Sequence, residues 1–402
     1  MYILKTHCTK KNKILRIINK EIKKTPIMIK IPYFLPWINK NDEKAVIKSM
    51  QQRWLTNGPY LEKFEKNFSS FIGTKFSSGV NSATSALHLS LRVLGINQND
   101  EVIVPTFTFV ATANVADFCG AKPIFCDIDP ETFNIKPEEI EKKITKKTKA
   151  IIIVHYGGQA CDMKEIKKIS KLHNIPIIED CAHSLGSEYK NKKCGSFGVA
   201  SCFSFYPTKV ITTGEGGMIS TNNSELSHKV SLLRSHALNR LPSEREKLGA
   251  WKYDVVDLGY NYRLDEIHAS LGLSQLSRIS TINNKRLRIA KQYNKKLKNL
   301  KGIKIPKVKE DRNHIYHLYT IKIEDDFHLT RDLLFQKLFK KGIGTSVQYI
   351  PLHHMEYYKK KYKKMGSFPN ADDVKDKVLC LPIYPNMSLN QTNYVIEQIK
   401  NS

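Results

Sequence analysis

From about residue 75 the sequence alternates between short, mostly apolar runs and longer segments with helical spacing. The runs "EVIVP", "PIFCD", "AIIIVHY" and "IPIIEDC" are strand-length. Between them lie "FVATANVADFCG", "KPEEIEKKI" and "MKEIKKISKLHN", which place apolar residues three or four apart. A strand apolar on both faces is covered on both faces, so the pattern predicts an α/β fold with a mostly parallel central sheet. Crossovers in such a sheet are right-handed, and ligands bind beyond the carboxyl ends of the strands. Two further β-like segments, "VASCFSFYPTK" and "GGMISTN", follow. A long helical stretch is expected over about Leu264–Leu300. After it, the strand "HIYHLYTIKI" and the helices "TRDLLFQKLFKKG" and "SLNQTNYVIEQIK" predict a smaller C-terminal α/β domain. The expected division is residues 28–278 for the large domain and 279–402 for the small one. Residues 1–27 read as a basic N-terminal extension, with Met28 as an alternative start.

Charge tests this reading. Lys and Arg number 65 against 38 Asp and Glu, a formal net charge of +27 that invites a nucleic-acid or membrane function. The basic runs are separated and mostly Lys, and no Cys/His zinc spacing or aromatic RNA-binding signature accompanies them. The charge therefore reads as a solvated basic surface, with no nucleic-acid partner. The eight cysteines form no C-x-x-C pair, and several sit in strand-like text, as buried thiols of a reducing compartment do. No apolar run approaches the ~20 residues of an integral membrane segment. The basic N-terminus lacks the apolar core of a secretory signal, and the expected location is the cytoplasm.

Four features fall at or just beyond expected strand ends. Asp180 closes "IPIIED". Lys209 follows "CFSFYPT". The small-residue turn "NSATSA" enters a helix, and Phe109 follows "EVIVP". Singly, each has an ordinary reading: a helix N-cap, a surface lysine, a cap cluster, a core aromatic. At one sheet edge they meet the four needs of a pyridoxal-phosphate site. A lysine amine must take the cofactor aldehyde and move protons. A carboxylate must hold the pyridine nitrogen protonated. A phosphate cup needs hydroxyls and helix N-terminal N–H groups, and a ring must cover the cofactor.

The ordered set "WLTNGPYLEKFE", "GVNSATSALHLSL", "VPTFTFVATANV", "GSFGVASCFSFYPTK", "TTGEGGMI", "LGYNYRLDEIHASLGL" and "SVQYIPLHHMEYY" resembles the DegT/DnrJ/EryC1/StrS family of sugar aminotransferases. The resemblance runs from about Ile31 to the C-terminus. It implies the aspartate-aminotransferase (fold-type I) architecture and pyridoxal 5'-phosphate as cofactor. By that resemblance Lys209 would bind the cofactor covalently and act as the base. Asp180 would pair with the pyridinium nitrogen, His183 would lie against the ring, and Phe109 would cover its other face. Thr84, Ser85 and Ser204 would donate to the phosphate. Asn261 would reach the partner subunit's phosphate, so a homodimer with shared sites is expected. Tyr262 and Arg263 fit either that interface or a structural role. Gly214, Gly216 and Gly217 would form a tight loop beside the lysine, with Glu215 either touching substrate or capping the loop.

A sister group of dehydratases carries His in place of this lysine, so Lys209 implies amino transfer. Glutamate would leave its amine and depart as 2-oxoglutarate before a nucleotide-linked keto-sugar takes that amine. "QYIPLHHMEYY" resembles the segment of 4-keto-6-deoxy-sugar enzymes. Gln348 departs from the His that relatives often have there. Tyr319, Tyr349 and His353 are candidate sugar or nucleotide contacts, against the alternative that they pack the small domain. The expected reaction is amino transfer to C4 of a UDP- or dTDP-linked 4-keto-6-deoxy sugar, in amino-sugar and surface-polysaccharide biosynthesis. The alternatives are C3 transfer, a GDP-linked (perosamine-type) sugar, or a non-catalytic binding or regulatory protein of the same fold.

Overall fold

A computed structural model describes residues 30–240 and 251–402. The N-terminal extension expected over residues 1–27 lies outside them. Strands β1 (Phe76–Val80), β2 (Glu101–Pro105), β3 (Lys122–Cys126), β4 (Thr148–Val154) and β5 (Ile177–Asp180) come first. A two-residue hairpin follows, β6 (Glu188–Tyr189) and β7 (Lys192–Lys193), then β8 (Ala200–Ser204) and β9 (Gly217–Thr221). Seven of these form one sheet in the order β1-β9-β8-β5-β4-β2-β3. The β8–β5, β5–β4, β4–β2 and β2–β3 pairs are parallel, and only β9 runs against its neighbours β1 and β8. The expected α/β fold with a mostly parallel central sheet is therefore the observed one.

The apolar runs explain the two-sided core. Successive strand residues point to opposite faces. In β2, Val102 and Val104 join one buried cluster with Ala150, Ile152 and Ile178, while Ile103 joins the other with Ile151, Ile153 and Ile177. Each such aliphatic side chain contributes roughly 1.5–3 kcal/mol by leaving water. Helices Ala83–Val93, Ala111–Phe118 and Met163–His173 supply the covering layers.

The long helix expected over 264–300 is two helices, Glu266–Leu276 and Ile279–Leu297, broken at Arg278 (φ −121°, ψ 19°). Tertiary contacts hold the break: the Arg278 guanidinium lies 4.4 Å from the Trp37 ring centroid, pairs with the buried carboxylate of Asp42 and donates to Trp37 O. Beyond it, β10 (Ile303–Lys304), β11 (Tyr319–Ile323) and β12 (Val378–Leu381) form an antiparallel sheet with its own buried cluster. The strand β12 (Val378–Leu381) has no counterpart in the sequence reading.

One long-range cap fixes the entry to the large domain. Glu266, fully buried, accepts from the N–H groups of Gly58, Tyr60 and Leu61 at 2.8–3.0 Å, at the N-terminus of helix Pro59–Ile72. Pro at the first helical position and no capping side chain at Gly58 leave those groups to Glu266. Glu266→Ala should cost about 3 kcal/mol, since hydrogen bonds to a charged group contribute ~1.5–3 kcal/mol each and three buried donors lose their acceptor. Urea unfolding of the variant checks this; a change below about 1 kcal/mol would contradict the capping role.

Candidate active site

The carboxyl ends of the parallel strands enclose a cavity of about 360 Å³, within the range of small-ligand sites. Asp180 ends β5 and His183 follows it. Ser204 ends β8, with Lys209 five residues on. Thr84 lies in the first turn of helix Ala83–Val93, after β1, and Phe109 follows β2. All six line this one cavity, as does Tyr349 from the far end of the chain.

The electrostatics of the cavity are those of buried, weakly charged groups. Burial lowers the Lys209 amine to about 8, opposed by the Asp180 charge, which favours the ammonium. Burial raises Asp180, opposed by the hydrogen bonds its oxygens accept from Ala182 N (3.1 Å) and Thr112 Oγ1 (3.0 Å). Burial holds His183 well below its ordinary value, helped by the nearby Lys209 charge, so the ring is neutral. Its Nδ1 accepts from Gly157 N at 3.3 Å, which leaves Nε2–H to donate to Tyr349 Oη at 3.0 Å. The His183 and Tyr349 rings lie nearly parallel, 9° apart. Phe109, 56% exposed, stands at the rim 6.1 Å from the Tyr349 centroid.

The amine of the cofactor-free protein should follow its lowered pKa. Below pH 8 the neutral fraction of Lys209 falls about tenfold per pH unit, and above it the fraction levels off. The rate of covalent capture of pyridoxal phosphate, trapped with borohydride and read by mass, should show that bend. A bend near the ordinary lysine value would contradict the burial argument.

Three expected contacts, Ser85, Tyr319 and His353, do not line this cavity. Ser85 is spent on the helix cap: its N–H donates to Ser82 Oγ at 3.0 Å and its hydroxyl to Asn81 Oδ1 at 2.6 Å. Ser82 and Ala83 line the cavity in its place. Tyr319 is fully buried in the small domain, with its hydroxyl donating to Asn294 Oδ1 at 2.6 Å. His353 is braced between Thr106 Oγ1 (2.6 Å) and Asp372 Oδ1 (3.0 Å). Asn261 is exposed, and its carbonyl accepts weakly from Asn81 Nδ2 at 3.4 Å. Of Tyr319, Tyr349 and His353, the cavity therefore holds Tyr349, and Glu215 of the glycine loop lines it as well.

Several cavity features escaped the sequence reading. Thr112, fully buried, bonds Asp180 and also lies 3.0 Å from Thr108 Oγ1. Its signal was a hydroxyl between the two alanines that open the helix Ala111–Phe118. Glu179, one residue before Asp180, points to the other face, where it accepts from Gly195, Phe197 and Gly198 N–H groups and contacts His155 Nε2 at 2.9 Å. It anchors the loop that leads into β8. The glycine loop closes tightly. Gly214 has φ +85°, and a Cβ on Gly217 would stand 2.5 Å from the Ser82 carbonyl carbon.

These groups fit pyridoxal phosphate. A buried carboxylate suits a pyridinium N–H, a part-neutral amine suits an aldehyde, and a helix N-terminus with Ser204 suits a phosphate. Fold and cavity together define a pyridoxal-phosphate-dependent aminotransferase. A solved structure of similar fold is Helicobacter pylori PseC, an aminotransferase involved in the biosynthesis of pseudoaminic acid. It matches with a TM-score of 0.86 and 33% identity, over 92% of this chain and 98% of that one. The sequence profile of the DegT/DnrJ/EryC1/StrS aminotransferase family matches residues 36–400, and the chain belongs to that family. The chain is 39% identical to the spore coat polysaccharide biosynthesis protein SpsC of Bacillus subtilis, over 92% of this chain and 96% of that protein. It is 38% identical to the GDP-perosamine synthase of Caulobacter vibrioides, over 80% and 85%. It is 37% identical to the UDP-4-amino-4,6-dideoxy-N-acetyl-beta-L-altrosamine transaminase of Campylobacter jejuni, over 89% and 93%. No helix among the described residues is long and apolar enough to cross a membrane.

Proposed function

We propose that this enzyme moves the amino group of glutamate to C4 of a UDP- or dTDP-linked 4-keto-6-deoxy sugar, in the making of a surface polysaccharide. The observation that carries the amino-transfer chemistry is the meeting of Lys209, Asp180 and His183 in one buried cavity. The likeness to a UDP-4-amino-sugar transaminase supports the carbon and the nucleotide. The likeness to a spore coat polysaccharide protein supports the pathway class.

Pyridoxal phosphate, when bound, supplies an electron-accepting ring next to the carbon that loses and gains a proton. Lys209 Nζ is the group that takes and returns that proton. With its value near 8, about a tenth of the amine is neutral at pH 7, enough to serve as a base without an alkaline medium. Asp180 would offer a negative charge to the ring nitrogen. Neutral His183, fixed by Gly157 and Tyr349, would flank the ring without adding charge. Phe109 closes the rim. Thr84, Ser204 and the first turn of helix Ala83–Val93 hold the phosphate, and Ser85 serves it by holding Ser82 in the cap. Asn261, exposed beside exposed Val255, Val256 and Leu258, suits a role across a homodimer interface.

The test is a panel of UDP-, dTDP- and GDP-linked 3- and 4-keto sugars with glutamate, read by product mass and NMR. The expected result is one aminated product, at C4 of a UDP or dTDP sugar. Amination of a GDP sugar would favour the perosamine-type reading that the Caulobacter relative supports.

A further inference from the structure

A second, smaller void lies behind the cavity wall. It measures about 10 Å³ and is lined by Tyr33, Phe34, Thr208, His317, Gln348 and Ile383, among others. Two buried polar atoms on its lining residues, His317 Nδ1 and Gln348 Oε1, have no hydrogen-bond partner among the described residues. His317 is only 5% exposed. Buried polar groups in folded proteins nearly always find a partner, and a void of ~10–15 Å³ is the size of one water molecule.

We propose that one water molecule is bound in this void, bridging His317 Nδ1 and Gln348 Oε1, and that it holds the Gln348 amide with its NH₂ toward the active-site cavity. Residue 348 then offers the substrate a hydrogen-bond donor. Gln348, with Thr208, lines both the void and the cavity. Oε1 is the buried, unpartnered end of its amide, so a water on Oε1 leaves the amide nitrogen for the cavity. The ring of His317 is neutral, because burial pushes its pKa well down, with the charges of Lys209 and Arg286 adding to the effect. A neutral imidazole nitrogen is a donor or an acceptor according to tautomer, and water is the partner that matches either while still donating to an amide oxygen.

The water also completes a ring of contacts at the back of the site. The His317 and His183 centroids are 4.5 Å apart, His183 bonds Tyr349, and Tyr349 adjoins Gln348. The cavity partner of a fixed NH₂ is an acceptor oxygen, such as a ketone, an acetamido carbonyl or a phosphate oxygen. A hydroxyl would serve only by its lone pairs. This assignment of a substrate-facing donor rests on the transaminase reading above; the water itself does not.

A crystal structure of the holoenzyme at a resolution that orders internal waters tests the first part directly. It should show one water within hydrogen-bond distance of both atoms; an empty void, or a direct His317–Gln348 bond, would overturn the proposal. His317→Phe, Gln348→Met and the double variant test it in solution. Each single change takes away one of the water's two partners, so each should lower the melting temperature by about 2 °C, the double variant by no more than the worse single. Additive losses would refute the bridge. Steady-state kinetics test the donor. Gln348→Met should raise KM for the keto-sugar about tenfold, the factor for one lost hydrogen bond, with the cofactor absorbance band unchanged. An unchanged KM would refute the donor, whereas a wild-type protein with no cofactor band would instead defeat the transaminase reading.

Discussion

Lys209→Ala should leave a folded protein that takes up pyridoxal phosphate reversibly and transfers no amine. The expected loss in kcat is at least ~10⁴-fold, because the substitution removes both the covalent anchor and the proton-transferring base. The fold should survive. Lys209 is held near pKa 8 by burial, so its charged form is disfavoured where it stands, and an alanine there removes a desolvation cost. Retention of cofactor should survive too, more weakly, because Asp180, Thr84 and Ser204 line the same cavity independently of the lysine. Lys209→Arg separates the two possible roles of the amine. Arginine keeps a positive charge beside Asp180 but cannot lose its proton, so it should be as inactive as alanine. Activity within tenfold of wild type in either variant would overturn the assignment of Lys209 as base. The readout is amine transfer from glutamate, alongside a dialysis test in which wild type keeps its cofactor and the alanine variant loses it.

The seven-stranded sheet was legible because its central strands are buried on both faces. "AIIIV" in β4 has no polar side chain to disguise its register, and the same holds for "VIVP" in β2. Strand β1, "FSSGV", was not legible. Its serines are satisfied by the sheet itself, for example Ser77 Oγ to Ser220 Oγ at 2.8 Å, and its partner β9 lies about 140 residues away in sequence. Strand β12 escaped for a related reason, since its partners are the distant β11 and the Ser346 backbone.

The site divided in the same way. Asp180, His183, Ser204 and Lys209 sit at or near strand ends, where the topology dictates the cavity, and their types match one chemistry. Ser85 was expected from the family resemblance, and Tyr319 and His353 as candidate sugar or nucleotide contacts. Packing decided those: Tyr319 points into the small-domain core, His353 into a brace with Asp372, and Ser85 into its own helix cap. A hydroxyl or imidazole seen in sequence is an offer of a hydrogen bond, and only the fold says which partner accepts it. Glu179 and Asp180 make the point within two residues. Adjacent on one strand, they face opposite sides. One carboxylate is saturated by three loop N–H groups, and the other is left for a ligand.

Asp180→Asn should reverse the usual link between stability and activity. In the cofactor-free protein Asp180 is a buried carboxylate whose pKa is raised by desolvation. The native state then holds a proton that the unfolded state has already released, over the window between the ordinary value of 3.8 and the raised native value. Stability therefore falls as pH rises through that window, and above it the full cost is present. Asparagine removes the charge and keeps the local bonds. Its oxygen accepts from Ala182 N–H, and its NH₂ donates to Thr112 Oγ1, whose proton turns to Thr108 Oγ1 at 3.0 Å. At neutral pH the cofactor-free variant should thus melt no lower than cofactor-free wild type, and its stability should lose the fall across that acidic window. Adding pyridoxal phosphate should invert the order. Wild type gains stability by mass action, while the variant, with no charge to hold the ring nitrogen protonated, gains less. Its kcat should drop about 10²–10³-fold, the scale for losing one electrostatic stabiliser in a water-poor site. Melting curves with and without cofactor, across pH, read both halves. A variant that melts well below wild type without cofactor would mean that Asp180 is a structural carboxylate like Glu179. One that keeps full kcat would mean that the ring nitrogen finds its charge elsewhere.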